Sequence, residues 1–327
     1  MDICLQIRAA AVMGKKPRKT KVQTPKAAQE KQVRRAFGSY MAKAFYASPE
    51  ALALRIPEMR ALREKTIAVF GLGCLGAPSV LEFARAGVKC VRLVDYDIVD
   101  PATAVRWPIG FTATGHKKTM VLQDFVHRNY PYTTCGVFDL KVGAVREVRS
   151  ERRSDQDWIE EITKDAHLIY DATAELGVQH FLTDCTWSRR IPYVGLSGTL
   201  GGWGGKVFRV RPWKGTGCWY CYRIACDKGD IPEPPSAPEH QGMIQPTGCA
   251  DPTFTGAGFD MLEIAMTGVR MAVSTLCEDI AGAYPPTDWD IVHIRLRAEN
   301  GLLIPPSFDT YETKPHPECP RGHRGSE

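Results

Sequence analysis

The sequence predicts an α/β protein with a doubly wound, mainly parallel sheet of the Rossmann type. Short apolar strands alternate with helical stretches between residues 65 and 196. A glycine-rich turn separates the first strand of this series from its first helix. Alternation of this kind places parallel strands side by side, with helices on both faces of the sheet.

The elements follow one another in a regular order. Ser48 is expected to cap a helical turn inside a helical stretch over 36–64. Strands are predicted over 65–70, 91–95, 133–140, 167–171 and 192–196, and helices over 77–86, 116–128, 155–164 and 175–189. Beyond Gly198 the pattern changes, with the start of an antiparallel hairpin over 201–210, a helix over 258–281 and a strand over 289–297.

The glycine turn is the first candidate binding site. It reads Gly71-Leu72-Gly73-Cys74-Leu75-Gly76, and Asp95 ends the next strand nineteen residues after Gly76. Glycines permit a tight turn, and the helix N-terminus offers free amides to phosphate oxygens. An acid at this distance binds a ribose hydroxyl. We therefore expect a nucleotide site; the alternative is a turn that serves packing alone.

The positive charge is concentrated at one end of the chain. The 327 residues carry a formal charge of +5, while residues 14–35 hold nine Lys/Arg and one acid, Glu30. That segment is therefore +8 and the remainder is −3. Few apolar residues at high charge predict a disordered arm over 1–35, which could contact a partner or nucleic acid. Residues 36–327 are expected to form one domain.

No targeting or membrane segment is evident. The chain has no run of about 18 apolar residues, and the start, 1–13, lacks the pattern of a secretory signal. Met13 is a second possible start. We therefore expect a cytoplasmic protein whose eleven cysteines are in a reducing compartment.

Further short motifs follow the glycine turn in a fixed order. They read Asp95-Tyr96-Asp97, Arg106, Gly115-His116-Lys117-Lys118, Asp171-Ala172-Thr173 and Cys218-Trp219-Tyr220-Cys221. In this combination and order, residues 55–325 or so resemble the ThiF/MoeB and ubiquitin-activating-enzyme family of adenylyltransferases. The resemblance implies a single ThiF-type adenylation domain that uses ATP and Mg²⁺.

The resemblance also assigns nucleotide-binding residues. Gly71, Gly73 and Gly76 would cradle ATP, and Asp95 or, less favoured, Asp97 would bind the ribose.

Three charged residues complete the implied active site. Arg106 and Lys118 would contact the triphosphate, and Asp171 would bind Mg²⁺ and be required for adenylation. Nucleotidyl transfer to a carboxylate needs a cation, positive side chains on the phosphates and alignment of the attacking group, so these residue types suit the chemistry.

The chain departs from the family pattern at several positions. Thr103 replaces an asparagine, Trp107 replaces a glutamine, and Ala174-Glu175 replace Asp-Asn. The family also uses an arginine near the N-terminus, often supplied by a partner subunit. A chain of this size resembles the bacterial homodimeric members of the family, so a homodimer is expected. The candidates here are Arg55, Arg60 and Arg63.

A zinc site is implied by the family's two C-x-x-C pairs. Cys218 and Cys221 form the first pair, while the second retains Cys319 and has His323 in place of its other cysteine. Three thiolates and one imidazole suit tetrahedral Zn²⁺. His316 is the alternative fourth ligand, so the zinc-binding elements are expected at 218–221 and 316–323. A site without metal and a redox C-x-x-C remain open.

Cys249 is the candidate catalytic thiol. It follows a proline-rich segment, about 227–248, that cannot be a core strand and corresponds to the family's crossover loop. In the family, a cysteine at this place attacks the acyl-adenylate to form a thioester, and a mobile loop suits that step. Cys226 is the second candidate, and a structural cysteine is the alternative.

The resemblance implies an enzyme that adenylates the C-terminal glycine carboxylate of a ubiquitin-like or sulfur-carrier protein. The glycine-rich run 198–205 could guide the extended tail of that protein. A bacterial ubiquitin-like conjugation pathway, with a conjugating enzyme as a possible partner, is the preferred setting. The alternatives are sulfur-carrier activation for thiamine, molybdopterin or tRNA thiolation, a tRNA-modifying adenylating dehydratase, a non-catalytic scaffold, and an NAD-dependent oxidoreductase.

Overall fold

A computed structural model describes residues 48, 50–51, 54–143, 154–244 and 253–322. The predicted basic arm over 1–35, most of the helical stretch over 36–64, Cys249 and His323 lie outside these residues. The Ala51 N–H donates to Ser48 Oγ at 3.2 Å, which fits the predicted cap. The described residues from Ile56 onward form one compact unit.

Ten strands occur in the described ranges: β1 (Thr66–Phe70), β2 (Cys90–Val94), β3 (Thr134–Phe138), β4 (Leu168–Asp171), β5 (Tyr193–Gly198), β6 (Gly204–Val210), β7 (Met243–Ile244), β8 (Thr253–Phe254), β9 (Ile291–Arg297) and β10 (Leu303–Tyr311). The α-helices are α1 (Gly76–Arg85), α2 (Lys118–Asn129), α3 (Asp155–Thr163), α4 (Leu176–Arg189), α5 (Trp219–Asp227), α6 (Glu239–Gly242) and α7 (Gly258–Cys277). Short 3₁₀ helices cover Pro57–Glu64, Pro101–Val105, Phe111–Ala113 and Leu200–Gly202.

Eight of these strands form one sheet in the order β10-β9-β6-β5-β4-β1-β2-β3. Strands β1 to β5 are parallel, and we call them the parallel half. Strands β6, β9 and β10 continue the sheet in antiparallel pairing, and we call them the antiparallel half. The predicted fold class is therefore confirmed, including the antiparallel pairing of the segment after Gly198.

The register of the parallel half brings the motif residues to one edge. Phe70 pairs with Val94 on one side and with Asp171 on the other. The glycine turn, Asp95 and Asp171 therefore leave the sheet at neighbouring carboxyl ends. This is the edge at which open α/β sheets bind ligands.

Apolar side chains cover both faces of the sheet, as a parallel arrangement requires. One buried cluster joins the sheet to α1, α2 and α7, and the other joins it to α3, α4 and α5. Helix α7 is the longest described helix and packs against β4, β5, β6 and β9. None of the described helices is both long and apolar enough to cross a membrane.

Three elements differ from the sequence prediction. Helix α5 and strand β10 were not predicted. Pro305 and Pro306 interrupt the alternation of β10, and its register shifts between Leu303 and Ser307. The described end of the 36–64 stretch is the 3₁₀ helix Pro57–Glu64. In the described part of the proline-rich segment after Asp227, only α6 and the exposed strand β7 form, in agreement with the prediction that this segment is not a core strand.

Candidate active site

The glycine turn between β1 and α1 is shaped by contacts that exclude side chains. Gly71 has φ +80°, and a Cβ there would lie 2.8 Å from the Thr173 nitrogen. A Cβ on Gly76 would lie 1.8 Å from the Gly71 oxygen. By contrast, apart from Gly73 and its two chain neighbours, no atom of the described residues lies within 4 Å of the position that a Cβ on Gly73 would take. Two glycines therefore permit close backbone packing, while Gly73 faces open space that a ligand can enter.

Leu72, inside the turn, is bound on both sides by side chains from later segments. Its N–H donates to Asp95 Oδ2 at 2.6 Å, and its carbonyl accepts from Trp107 Nε1 at 2.8 Å. Asp95 is only 9% exposed, and its Oδ1 accepts from the Asp97 N–H at 2.8 Å. The predicted ribose ligand is therefore also part of the scaffold of the glycine turn.

Lys118, the first residue of α2, is buried and forms an ion pair with Asp97. The Lys118 Nζ lies 2.5 Å from Asp97 Oδ2, and the Asp97 side chain is about half exposed. The neighbouring Lys117 points elsewhere and bonds the Tyr96 carbonyl and Asp139. The structure thus separates two adjacent lysines: one is held beside the D-x-D motif, and the other lies at the surface.

Arg106 lies between the glycine turn and strand β8. Its guanidinium donates to the Phe254 carbonyl at 2.7 Å and to Thr253 Oγ1 at 2.6 Å, and it stacks on the Phe254 ring. Burial raises the pKa of the Cys74 thiol in the turn, while the charges of Arg106 and Lys118 oppose that rise. Both predicted triphosphate ligands are therefore near the turn, but Arg106 is bonded to β8.

Asp171 ends β4 and is completely buried. Its Oδ1 accepts from the Thr173 N–H and hydroxyl at 2.9 and 2.7 Å, and its Oδ2 accepts from the Tyr193 hydroxyl at 2.8 Å. Burial raises the pKa of Asp171, and these three donors oppose the rise. No described Lys or Arg forms an ion pair with this carboxylate. A buried carboxylate oxygen without a cation suits a divalent cation such as Mg²⁺.

Sequence reasoning missed Tyr193 because the pattern of a buried strand gives no sign of which hydroxyl meets Asp171.

Two of the residues that depart from the family pattern are described in the structure. The Thr103 hydroxyl donates to the Asp100 carbonyl at 2.6 Å. Ala174, where the family has aspartate, adopts φ +58°, a conformation that aspartate tolerates better than alanine.

Three of the predicted zinc ligands come together in a second, separate site. The sulfurs of Cys218, Cys221 and Cys319 all lie within 4.8 Å of one another, and all three residues are buried. The His316 N–H donates to the Cys221 sulfur at 3.2 Å. The His316 ring instead contacts the Glu318 N–H and Lys228. Three clustered, buried thiols fit Zn²⁺.

A cavity of about 590 Å³ opens beside the turn that follows β5. It is lined by Gly201, Trp203, Ala237, Pro238, Gln241, Thr255, Arg297, Glu299, Asn300 and Gly301. Thr255 directly follows Phe254, which accepts the hydrogen bond from Arg106. The cavity is therefore linked through β8 to the residues around the glycine turn.

Comparisons with known proteins agree with this geometry. A profile of the ThiF family matches residues 48–283. "Uncharacterized protein y4oA" of Sinorhizobium fredii is 34% identical over 272 residues, which are 82% of this chain and 45% of that protein. The chain thus spans less than half of this relative. The sulfur carrier protein ThiS adenylyltransferase of Bacillus subtilis is 29% identical over 180 residues, 53% of this chain and 50% of that protein.

The same fold occurs in a solved structure. The crystal structure of MccB from E. coli with ATP superposes with a TM-score of 0.58 at 11% identity, and the match covers 80% of this chain and 68% of that one. At this identity the likeness concerns the fold alone.

Proposed function

Because the chain belongs to the ThiF family, we propose that it is an ATP-dependent adenylyltransferase that activates a carboxylate of a carrier protein or peptide. A carboxylate oxygen would attack the α-phosphorus of ATP, the bond to the β-phosphate oxygen would break, and pyrophosphate would leave. The observation that carries this proposal is Asp171, a buried carboxylate without a cation partner in the described residues. It ends β4, which pairs with β1 beside the glycine turn.

The residues around the turn have complementary tasks in this proposal. Gly73, with open space beside it, would receive the phosphates, and Asp95 or Asp97 would bind the ribose. Lys118 and Arg106 would oppose the phosphate charge, Lys118 from its place beside Asp97. Asp171 would hold Mg²⁺, which would supply positive charge against the phosphates.

The proposed substrate is the C-terminal glycine carboxylate of a ubiquitin-like or sulfur-carrier protein. The cavity beside Gly201 supports this class, because it opens next to the glycine-rich run 198–205 that could guide an extended tail. A Cβ on Gly201 would lie 2.6 Å from the Ala237 Cβ, so the turn is closely packed there. The name of the Bacillus subtilis relative, a ThiS adenylyltransferase, points to a carrier protein as well.

We place Cys249 as the nucleophile of a second step. Its sulfur would attack the acyl-adenylate carbonyl, release AMP and form a thioester that a conjugating enzyme could accept. Cys249 belongs to the segment between β7 and β8, and β8 contacts Arg106 beside the glycine turn. A bacterial ubiquitin-like conjugation pathway in the cytoplasm is the proposed setting, with a homodimer as the working form.

The thiols of Cys218, Cys221 and Cys319 would hold Zn²⁺ together with His323 or His316. Cys218 begins α5, and Cys319 lies beyond the last strand of the antiparallel half. The metal would therefore join the C-terminal segment to α5, in a structural rather than a catalytic role.

The adenylation step is tested by ATP–pyrophosphate exchange in the presence of candidate carrier proteins that end in glycine. We expect exchange that depends on the carrier and is lost in Asp171→Ala. Full exchange in Asp171→Ala would remove the adenylation proposal. Exchange by no carrier, with intact ATP binding, would favour the non-catalytic scaffold.

The thioester step is tested on a nonreducing gel with a competent carrier. A thiol-sensitive adduct is expected in the wild type and not in Cys249→Ala. An adduct that persists in Cys249→Ala would move the role to another thiol, with Cys226 as the first to examine. Exchange without any adduct would favour the sulfur-carrier adenylyltransferase.

A different acceptor, tRNA, is the remaining alternative. The charge of +8 on residues 14–35 motivates it, because lysine and arginine contact the phosphate backbone. Salt-sensitive tRNA binding that disappears when residues 1–35 are deleted would support a tRNA-modifying enzyme. Binding that is indifferent to the deletion would count against it.

A further inference from the structure

Trp107 takes a position where the resembled family has glutamine, and it packs against the glycine turn. Its side chain is 4% exposed and belongs to the same apolar cluster as Leu72 and Leu75. The indole Nε1–H donates to the Leu72 carbonyl at 2.8 Å in a buried hydrogen bond. This contact joins two segments that are 35 residues apart in the chain.

The bond fixes a peptide plane that would otherwise turn easily. Leu72 stands between Gly71 and Gly73, and glycine leaves the backbone on either side of it unusually free. Asp95 holds the plane before Leu72 through the N–H, and Trp107 holds the plane after it through the carbonyl. Together they fix the orientation of both planes.

The plane after Leu72 carries the Gly73 N–H. In a trans peptide the carbonyl and the N–H point in opposite directions, so a carbonyl directed at Trp107 turns the Gly73 N–H away from the indole. Among the described residues, the Gly73 N–H donates no hydrogen bond to a loop carbonyl or to a side chain. Open space also lies beside Gly73. The donor is therefore free to meet an anion.

We propose that Trp107 is a positioning residue that directs the Gly73 N–H to the phosphate groups of the nucleotide. The inference rests on the proposed function, since it requires a nucleotide at the turn. Trp107 acts only through the turn, so its effect is confined to ligands that carry phosphate. In the proposed function, the ribose would be bound by the Asp95 or Asp97 carboxylate and not by the Gly73 N–H.

A positioning role predicts that a substitution at Trp107 weakens the binding of ATP but not of adenosine. General damage to the site would weaken the binding of both. In Trp107→Phe the ring remains and the N–H donor is lost. We expect affinity for MgATP to fall roughly threefold to tenfold, the range of one buried neutral hydrogen bond, while affinity for adenosine stays unchanged. Both affinities are measured on the full chain by competition against a fluorescent nucleotide.

Trp219 provides a matched control. It is also a buried indole, and its N–H has no hydrogen-bond partner in the described part of the chain. Trp219→Phe should leave the ratio of ATP to adenosine affinity at the wild-type value. An unchanged ratio in Trp107→Phe, or an equal change in Trp219→Phe, would overturn the inference.

A second measurement keeps the test decisive if Trp107→Phe folds poorly. The benzothiophene analogue of tryptophan at position 107 has the same shape and lacks only the N–H. With it, hydrogen exchange at residues 72–76 should accelerate in the protein without nucleotide; unchanged exchange would sink the inference. A wild type that binds adenosine but not ATP would instead sink the proposed function.

Discussion

Asp171 in the parallel half and Asp290 in the antiparallel half are both buried, yet their surroundings are opposite. Asp290 directly precedes β9, and its Oδ1 lies 3.1 Å from Arg209 Nε and 2.8 Å from Arg211 Nη2. Asp171 meets a backbone N–H and two hydroxyls, but no cationic side chain in the described residues. The same sheet therefore contains one buried carboxylate that is paired with arginines and one that is held by neutral donors alone.

The difference follows from what each carboxylate must do. A buried charge that only stabilises a fold needs its countercharge inside the protein, as Arg209 and Arg211 supply for Asp290. A buried charge without one in the chain is costly to the fold and is suited to a cation that comes with the substrate. The parallel half thus contains the proposed reaction site, while the antiparallel half contains the buried ion pairs around Asp290.

The largest effects are expected from substitution of the two aspartates, on exchange activity for Asp171 and on stability for Asp290. Asp171→Asn keeps the shape and removes the charge, so pyrophosphate exchange should fall on the order of 10²–10³-fold. Asp290→Asn removes the carboxylate that Arg209 and Arg211 share. Arg211 keeps its ion pair with Glu278, whereas Arg209 loses its ion pair among the described residues. The free energy of unfolding should therefore fall by about 3–5 kcal/mol. Exchange and thermal unfolding are measured for both variants. Near-normal exchange in Asp171→Asn, or normal stability in Asp290→Asn, would break the comparison.

The next effect concerns two neighbouring lysines at the edge of the parallel half. Lys118→Met removes a buried ammonium group beside Asp97, and the KM for ATP should rise roughly 10- to 100-fold, as for a lost charge-assisted hydrogen bond. Lys117→Met changes a half-exposed residue and serves as the control. Equal KM values for the two variants would mean that the burial of Lys118 has no role in nucleotide binding.

The third prediction concerns the three thiols of Cys218, Cys221 and Cys319. We expect about one zinc per chain in the purified protein. Cys218→Ser should lose the metal and unfold at a lower temperature, while Cys185→Ser, at another buried thiol, should retain the metal. Metal analysis and thermal unfolding decide the outcome. Equal metal content in both variants would contradict a site at these thiols.

The smallest effect is a pH shift at Asp171. Burial raises the pKa of this carboxyl, and the hydroxyl of Tyr193 opposes the rise by favouring the charged form. Tyr193→Phe should raise the pKa of Asp171 further. In the proposed function the carboxylate is the working form, so activity should rise with pH through this pKa. The acid limb of exchange should therefore move to higher pH in Tyr193→Phe.

The control for this shift is Tyr222→Phe, which changes a buried tyrosine that bonds His293 instead. Its pH profile should match the wild type, and so should the activity of Tyr193→Phe at high pH. A loss in Tyr193→Phe that is equal at every pH would assign Tyr193 to packing alone.

Much of the parallel half could be predicted from the sequence, because its signals are local. The run Ile67–Phe70 and the glycines after it lie within a few residues of one another, and so do their structural consequences. Strand β10 could not be predicted, since it exists through pairing with β9 across a register shift, and its prolines hide the alternation. Helix α5 was hidden by the cysteines that begin it.

The family resemblance proposed which residues form the site, but it did not predict their partners. It assigned Asp171 and Lys118 to the site, yet the partner Tyr193 lies 22 residues beyond Asp171, and Trp107 lies 35 residues beyond Leu72. Such pairs depend on how β5 and the turn after β2 fold back on the sheet. The sequence of either segment alone does not indicate which residues will pair.

The cysteine cluster sets an order for the formation of the structure. Cys218 and Cys319 are 101 residues apart, so their sulfurs cannot meet until the ribosome has synthesised β9 and β10. Strands β1 to β5 end at Gly198 and can pair long before that. A metal ion held by the three thiols would therefore be captured only by chains whose antiparallel half has been completed.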